Sequence, residues 1–148
     1  MNYTQLQAAI VAYSENTSTE FAAEIATFVQ QAEQRIYNTI QFPSLRRNVT
    51  GLTTSSNKYL QCPSDFLAVY SMAVINPTTS EYEYLLNKDV NFIRQAYPSP
   101  ASVGIPKYYA IFGPQSNDVN ELSFILGPTP DATYTVELHY YYYPESIV

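Results

Sequence analysis

Apolar residues recur with two different rhythms along this chain, and the rhythm changes near Pro43. Before that point the period is helical. Tyr3, Leu6, Ile10 and Tyr13 recur at spacings of three and four, one face of a first helix. Its start is marked by Asn2 as a cap, or equally by Thr4 with Gln7 as a capping box. Ser14-Glu15-Asn16 ends it. A second, longer helix is predicted over about 18–40. Thr17 stands as its N-cap, with Glu20 completing the box, and Phe21, Ile25, Phe28, Val29, Ala32, Ile36 and Ile40 form one stripe. Glu20 and Glu24 near its start and Arg35 near its end suit the helix dipole. Pro43 stops it.

After Leu45 the rhythm shortens to strand length. Arg47 to Thr54 and Lys58 to Cys62 flank the turn Ser55-Ser56-Asn57, which predicts a hairpin. Phe66 to Ile75 is a near-continuous apolar run, as expected of a strand covered on both faces. Glu81 to Leu86 predicts a short strand. Asn87 then caps a short helix over about 88–97, with Val90, Ile93 and Tyr97 on one face. Lys107 to Phe112 predicts a further strand. A last hairpin joins Glu121–Leu126 to Thr133–Tyr143 through Gly127-Pro128-Thr129-Pro130-Asp131. In its second arm Tyr134, Val136, Leu138, Tyr140 and Tyr142 alternate with Thr135, Glu137, His139, Tyr141 and Tyr143. The reading is one α+β domain over 1–148: a helical pair over 1–43, then a mainly antiparallel β part over 44–148.

Composition narrows the function. With 148 residues and 46% apolar content, the chain is long enough for one ordinary core. Charged residues are 14% and the net charge is −6, so a nucleic-acid wrapper, which needs Lys and Arg against phosphates, is excluded. The balance fits a surface past which DNA slides. No apolar stretch reaches the ~18 residues of a membrane helix, and Met1-Asn2-Tyr3-Thr4-Gln5 has no secretory pattern, so cytosolic synthesis is expected. Tyrosine is the unusual residue: 15 copies, with no Trp and one His. Tyrosine gives large contact area at low entropic cost and keeps a polar tip, which favours protein–protein contact.

Candidate chemistry is sparse. A single cysteine, Cys62, forbids an internal disulfide and any Cys-based metal motif, and reads as a small core residue. His139 sits mid-strand without a neighbouring acidic cluster, so no metal or catalytic site is assigned to it. The four glycines stand at turns, and none builds a phosphate loop. No catalytic residue, cofactor or metal is expected. Arg46-Arg47, the only basic doublet, reads as a solvated strand start or as an inter-subunit salt-bridge pair. Tyr140, Tyr141, Tyr142 and Tyr143 must divide between two strand faces, so both faces are covered, by core, partner subunit or ligand. These six residues are the candidate subunit interface.

The order of these features resembles the head-to-tail adaptors of tailed bacteriophages, head-completion proteins that sit beneath the portal. The resemblance lies in Gln34-Arg35-Ile36-Tyr37 with the exit Phe42-Pro43, and in Leu60-Gln61-Cys62-Pro63-Ser64-Asp65-Phe66-Leu67, which has two residues inserted before the Pro. It continues in Gly104-Ile105-Pro106-Lys107-Tyr108-Tyr109-Ala110-Ile111 and in the stretch from Pro128 to Pro144. Each motif is turn chemistry plus strand pattern, and their order carries the likeness. It implies a structural virion protein without catalytic residues: a ring, commonly a dodecamer, docked on the portal protein. Such a ring meets a tail or nozzle protein and continues the DNA channel without binding DNA specifically. Similar proteins continue past the last Tyr-rich strand with a helical segment that helps bind the portal, whereas this sequence stops at Val148. Either the chain is a shortened form or its portal contact is built differently. The competing readings are a carbohydrate- or ligand-binding β module using exposed tyrosines and an enzyme of unrecognised type.

Overall fold

A computed structural model describes residues 1–113 and 122–148. The chain divides into two compact units, one of residues 1–45 and 143–148 and the other of residues 46–142.

The first unit is helical. Helix α1 spans Tyr3–Ser14 and α2 spans Thr19–Thr39. Asn2 caps α1 in a box with Gln5: the Asn2 side chain accepts from Gln5 N at 2.9 Å, and Asn2 N donates to Gln5 Oε1 at 3.1 Å. The expected cap of α2 moves by one residue. Ser18, not Thr17, accepts the Phe21 N–H at 3.2 Å, because Thr17 lies one residue too far back to reach the first free donors. The long helix otherwise follows its predicted span, and Ile25 and Val29 are its buried positions. Ile40 stands just outside as the C-cap, and a 3-10 turn covers Pro43–Leu45. The last residues lie along α2: Ser146 Oγ donates to Glu33 Oε2 at 2.6 Å, and Ile147 N donates to Glu33 Oε1 at 3.1 Å.

The second unit is a two-sheet sandwich with one helix. Its strands are β1 (Arg46–Leu52), β2 (Tyr59–Gln61), β3 (Phe66–Ile75), β4 (Tyr82–Tyr84), β5 (Leu86–Asn87), β6 (Tyr108–Phe112), β7 (Ser123–Gly127) and β8 (Thr135–Tyr142). Helix α3 (Val90–Ala96) lies between β5 and β6 in sequence. One sheet has the order β1-β8-β3-β4 and the other β2-β7-β6-β5. All pairs are antiparallel except β5 with β6.

Both predicted hairpins are corrected by this order. β1 and β2 follow each other in sequence yet sit in different sheets. β1 pairs with β8 over seven residues, Arg46↔Tyr141 to Leu52↔Thr135, whereas β2 pairs with β7 over three. The longer β8 ladder outweighs the local turn. β7 and β8 likewise separate. The expected strand began at Glu121, which lies outside the described residues. The two prolines of Gly127-Pro128-Thr129-Pro130 have no N–H with which to carry a ladder through the turn. The chain therefore crosses between sheets there. The cap of α3 is also corrected: Asp89, not Asn87, accepts from Asn91 N at 2.7 Å, since Asn87 is held in β5.

The core fills the space between the sheets. Phe66, Met72, Val74, Tyr134, Val136, Leu138 and Tyr140 enter it from one side, and Tyr109, Phe124 and Leu126 from the other. Phe124 sits at the centre, edge-on to Phe66 (centroids 5.5 Å apart) and to Tyr109 (5.9 Å). Each such pair adds about 0.5–1.5 kcal/mol beyond area burial. Helix α3 covers the outer face of the β6/β7 sheet, where Ile93 packs with Ala110 and Ile125. Gly127 makes the close approach possible: a Cβ there would lie 2.8 Å from Ile93 Cγ2. Among the described residues of this unit, no helix lies on the outer face of the other sheet.

Candidate interaction surface

That outer face gathers residues from β1, β3, β4 and β8. Arg46 lies opposite Tyr141 in the ladder, and its Nε and Nη2 donate to the Tyr141 hydroxyl at 3.2 and 2.9 Å. Its guanidinium also stands 4.0 Å from the centre of the Tyr70 ring and 5.2 Å from that of Tyr141. The Tyr70 and Tyr141 rings stand edge to face at 80°, so the guanidinium lies over Tyr70 in a cation–π contact while it bonds the Tyr141 hydroxyl, which holds the charge at the surface in a fixed pose. Tyr141 is buried, while Tyr70 is exposed. Further along, Asn48 donates to Glu137, and the Ser71 hydroxyl lies 3.3 Å from His139 Nδ1. His139 Nε2 is 4.0 Å from Glu137 Oε1. The histidine is one member of a polar row. No group of three or more metal-ligating side chains occurs among the described residues.

The other face of the same strands turns Arg47 and Tyr140 toward Asp65. Arg47 Nη1 donates to Asp65 Oδ2 at 2.7 Å, and Tyr140 Oη donates to Asp65 Oδ1 at 2.8 Å. One carboxylate thus takes a cation and a phenol, one on each oxygen. Arg47 also lies 3.8 Å from the centre of the Tyr142 ring. Burial and the bond to Asp65 push the Tyr140 hydroxyl up to about 12. At the sandwich end, the bond from Tyr134 Oη to Asp131 Oδ1 at 2.5 Å, with burial, also pushes Tyr134 up to about 12. Burial alone pushes the Cys62 thiol up to about 12, well away from reactive thiolates.

The candidate residues therefore fall into three places. Arg46 and Tyr141 share the outer face. Arg47, Tyr140 and Tyr142 surround Asp65 at the rim of the core. Tyr143 lies past the end of β8, in the helical unit, where it donates to Asn38. The tyrosine run divides as alternation required, except that Tyr143 has left the strand. Within the chain Arg46 and Arg47 have tyrosine and aspartate partners of their own. Sequence reasoning missed Asp65, Tyr70, Tyr82 and Tyr84. Tyr70 lay inside the apolar run Phe66–Ile75, where the bulge between Val69 and Ser71 interrupts simple alternation. The open side of the sandwich adds a groove of about 290 Å³, lined mainly by apolar groups of Val49, Gly51, Leu60, Cys62, Phe124 and Leu138.

No helix of the described residues is long and apolar enough to cross a membrane. Compared with known families, residues 1–148 match the family model described as "SU10 adaptor protein". The comparison with curated proteins finds no match.

Proposed function

From the premise that this chain belongs to the SU10 adaptor family, and so is a bacteriophage structural adaptor, we propose that it forms an oligomeric ring joining the portal to the tail. The observation that carries this reading is a family match running through both units, from Met1 to Val148. In the proposed ring, twelve copies dock on the portal protein, meet a tail or nozzle protein below, and continue the DNA channel at the head–tail junction of the virion. The protein is made in the host cytoplasm and performs no catalysis. The helical unit and the sandwich act together as one adaptor module.

Physical features support the reading. A ring needs two different patches on each subunit, one meeting the other on the next copy. The exposed Arg46/Tyr70 face and the exposed tyrosines of β4 are chemically distinct surfaces of one sheet. The net charge of −6 lets phosphate pass without trapping it. Arg46, Arg47 and Tyr140–Tyr142 take part in subunit contact mainly by shaping the sheet that meets its neighbour, and Tyr143 takes part from the helical unit.

Light scattering on the purified chain, followed by pull-down with the portal protein of the same phage, tests the proposal. Large closed oligomers that retain portal are expected. A persistent monomer that ignores portal and binds a glycan would overturn it in favour of a sugar-binding module.

A further inference from the structure

The β1-β8-β3-β4 sheet ends in two open edges. Edge strands present unpaired N–H and C=O groups, and proteins usually blunt them with proline, a bulge or inward charge. β1 has none of these along Asn48–Leu52, and all seven of its residues are exposed. β4 at the far edge is short and carries Tyr82 and Tyr84, 52% and 67% exposed, beside Glu81 and Glu83. β1 is thus an unblunted edge, whereas β4 is short and carries Glu83 on the core side, so a partner there has to answer that charge.

Resting on the ring reading above, we infer that β1 of one copy pairs with β4 of the next, so that this sheet runs continuously around the assembly. Strand direction permits it. β8 is antiparallel to both β1 and β3, and β4 is antiparallel to β3, so the four strands alternate up and down. Placing the next copy's β1 beside β4 then makes every junction antiparallel, and no strand has to reverse. The contact joins two different patches, the kind that closes rings.

Side-chain faces match as well. On β1, Arg47, Val49 and Gly51 lie opposite Tyr140, Leu138 and Val136, on the core side; Arg46, Asn48, Thr50 and Leu52 are on the outer side. On β4, Glu83 lies opposite the core residue Val74, while Tyr82 and Tyr84 are on the outer side. A junction that preserves faces sets Glu83 on the side of Arg47. It sets the exposed Tyr82 and Tyr84 on the side of Arg46 and of Leu52, itself 65% exposed. Arginine meets acid on one face and aromatic rings on the other, and two apolar surfaces leave water together. Among the described residues Arg46 has tyrosine partners and no carboxylate partner, so it retains charge to offer. Gly51, where an added Cβ would meet nothing within 4 Å, leaves room at the edge.

Disulfide trapping in the full chain tests this. Asn48→Cys, Thr50→Cys or Leu52→Cys, which together sample the registers open to the three-residue β4, is combined with Tyr82→Cys or Tyr84→Cys, and assembled material is mildly oxidised and run on a denaturing gel. Buried Cys62 is present throughout, and the wild-type chain is the control. At least one double variant should give a ladder of covalent oligomers reaching ring size, while the single variants give none. Rings visible by electron microscopy with no ladder in any double variant would overturn the pairing and leave the ring reading standing. Dimers from Thr50→Cys alone would overturn it in favour of β1 pairing with itself. Monomers throughout would overturn the pairing and the ring reading together.

Discussion

Tyr140 donates its hydroxyl to Asp65 at 2.8 Å, while Arg47 occupies the other oxygen of the same carboxylate at 2.7 Å. This bridge ties β8 to β1 and to the turn that precedes β3. Removing the phenol takes away one hydrogen bond to a charged acceptor, an effect of about 1.5–3 kcal/mol. Tyr140→Phe should therefore lower the denaturant midpoint of the chain at neutral pH by that order, without changing the slope of the transition.

The same bond makes stability fall in alkali. The folded-state value of Tyr140 stands near 12 against an ordinary 10.0, so the phenol is held in its neutral form by the native state. The contribution is present in full below pH 10 and is lost as pH rises toward about 12. Tyr134 behaves alike through Asp131. Denaturation curves taken across that interval should show wild type losing stability faster than Tyr140→Phe, so that the two converge. Parallel curves would contradict the assignment.

Gly127 is expected to be intolerant of any side chain. An added Cβ would meet Ile93 Cγ2 at 2.8 Å and the Tyr97 ring at 3.1 and 3.2 Å. Overpacking of this kind costs about 1–3 kcal/mol. Gly127→Ala should show that loss in a thermal or denaturant melt, and adding Ile93→Ala should cost less than the sum of the two single changes, because it removes the nearest clashing atom.

Thr53 closes the end of the β1/β8 ladder. It is 2% exposed, its hydroxyl donates to Ala132 O at 3.2 Å, and the same oxygen accepts the Tyr134 N–H at 2.8 Å. Thr53→Val keeps the shape and strands both backbone groups. A loss of about 1–3 kcal/mol is expected. Hydrogen exchange at the Tyr134 amide should rise with it, whereas an unchanged amide would contradict the role.

Much of the fold was legible because local signals and tertiary demands agreed. The alternation Tyr134–Val136–Leu138–Tyr140 states a burial pattern that the structure keeps, whereas α2 keeps its span but buries only Ile25 and Val29 of its stripe, and β3 keeps its strand but leaves Tyr70 exposed. The hairpins were not legible. Ser55-Ser56-Asn57 and Gly127–Asp131 carry ordinary turn chemistry, and turn chemistry does not say whether the chain folds back or crosses to another sheet. The choice was made by β8, which offers β1 a seven-residue partner from far along the sequence. For the candidate surface, the basic doublet and the tyrosine run were visible, but their division was not. Asp65 reads as a turn residue beside Pro63-Ser64, and only the fold brings it between Arg47 and Tyr140. Tyr70 was hidden because a bulge re-aims it.

The central claim is that this chain joins head to tail in the particle. Electron cryomicroscopy of virions, with antibody fragments against this chain as markers, tests it most directly. The account predicts a closed ring of label at the vertex between portal and tail, with the DNA path through its centre. Virions whose label lies elsewhere, or that lack the chain while keeping an intact neck, would contradict it.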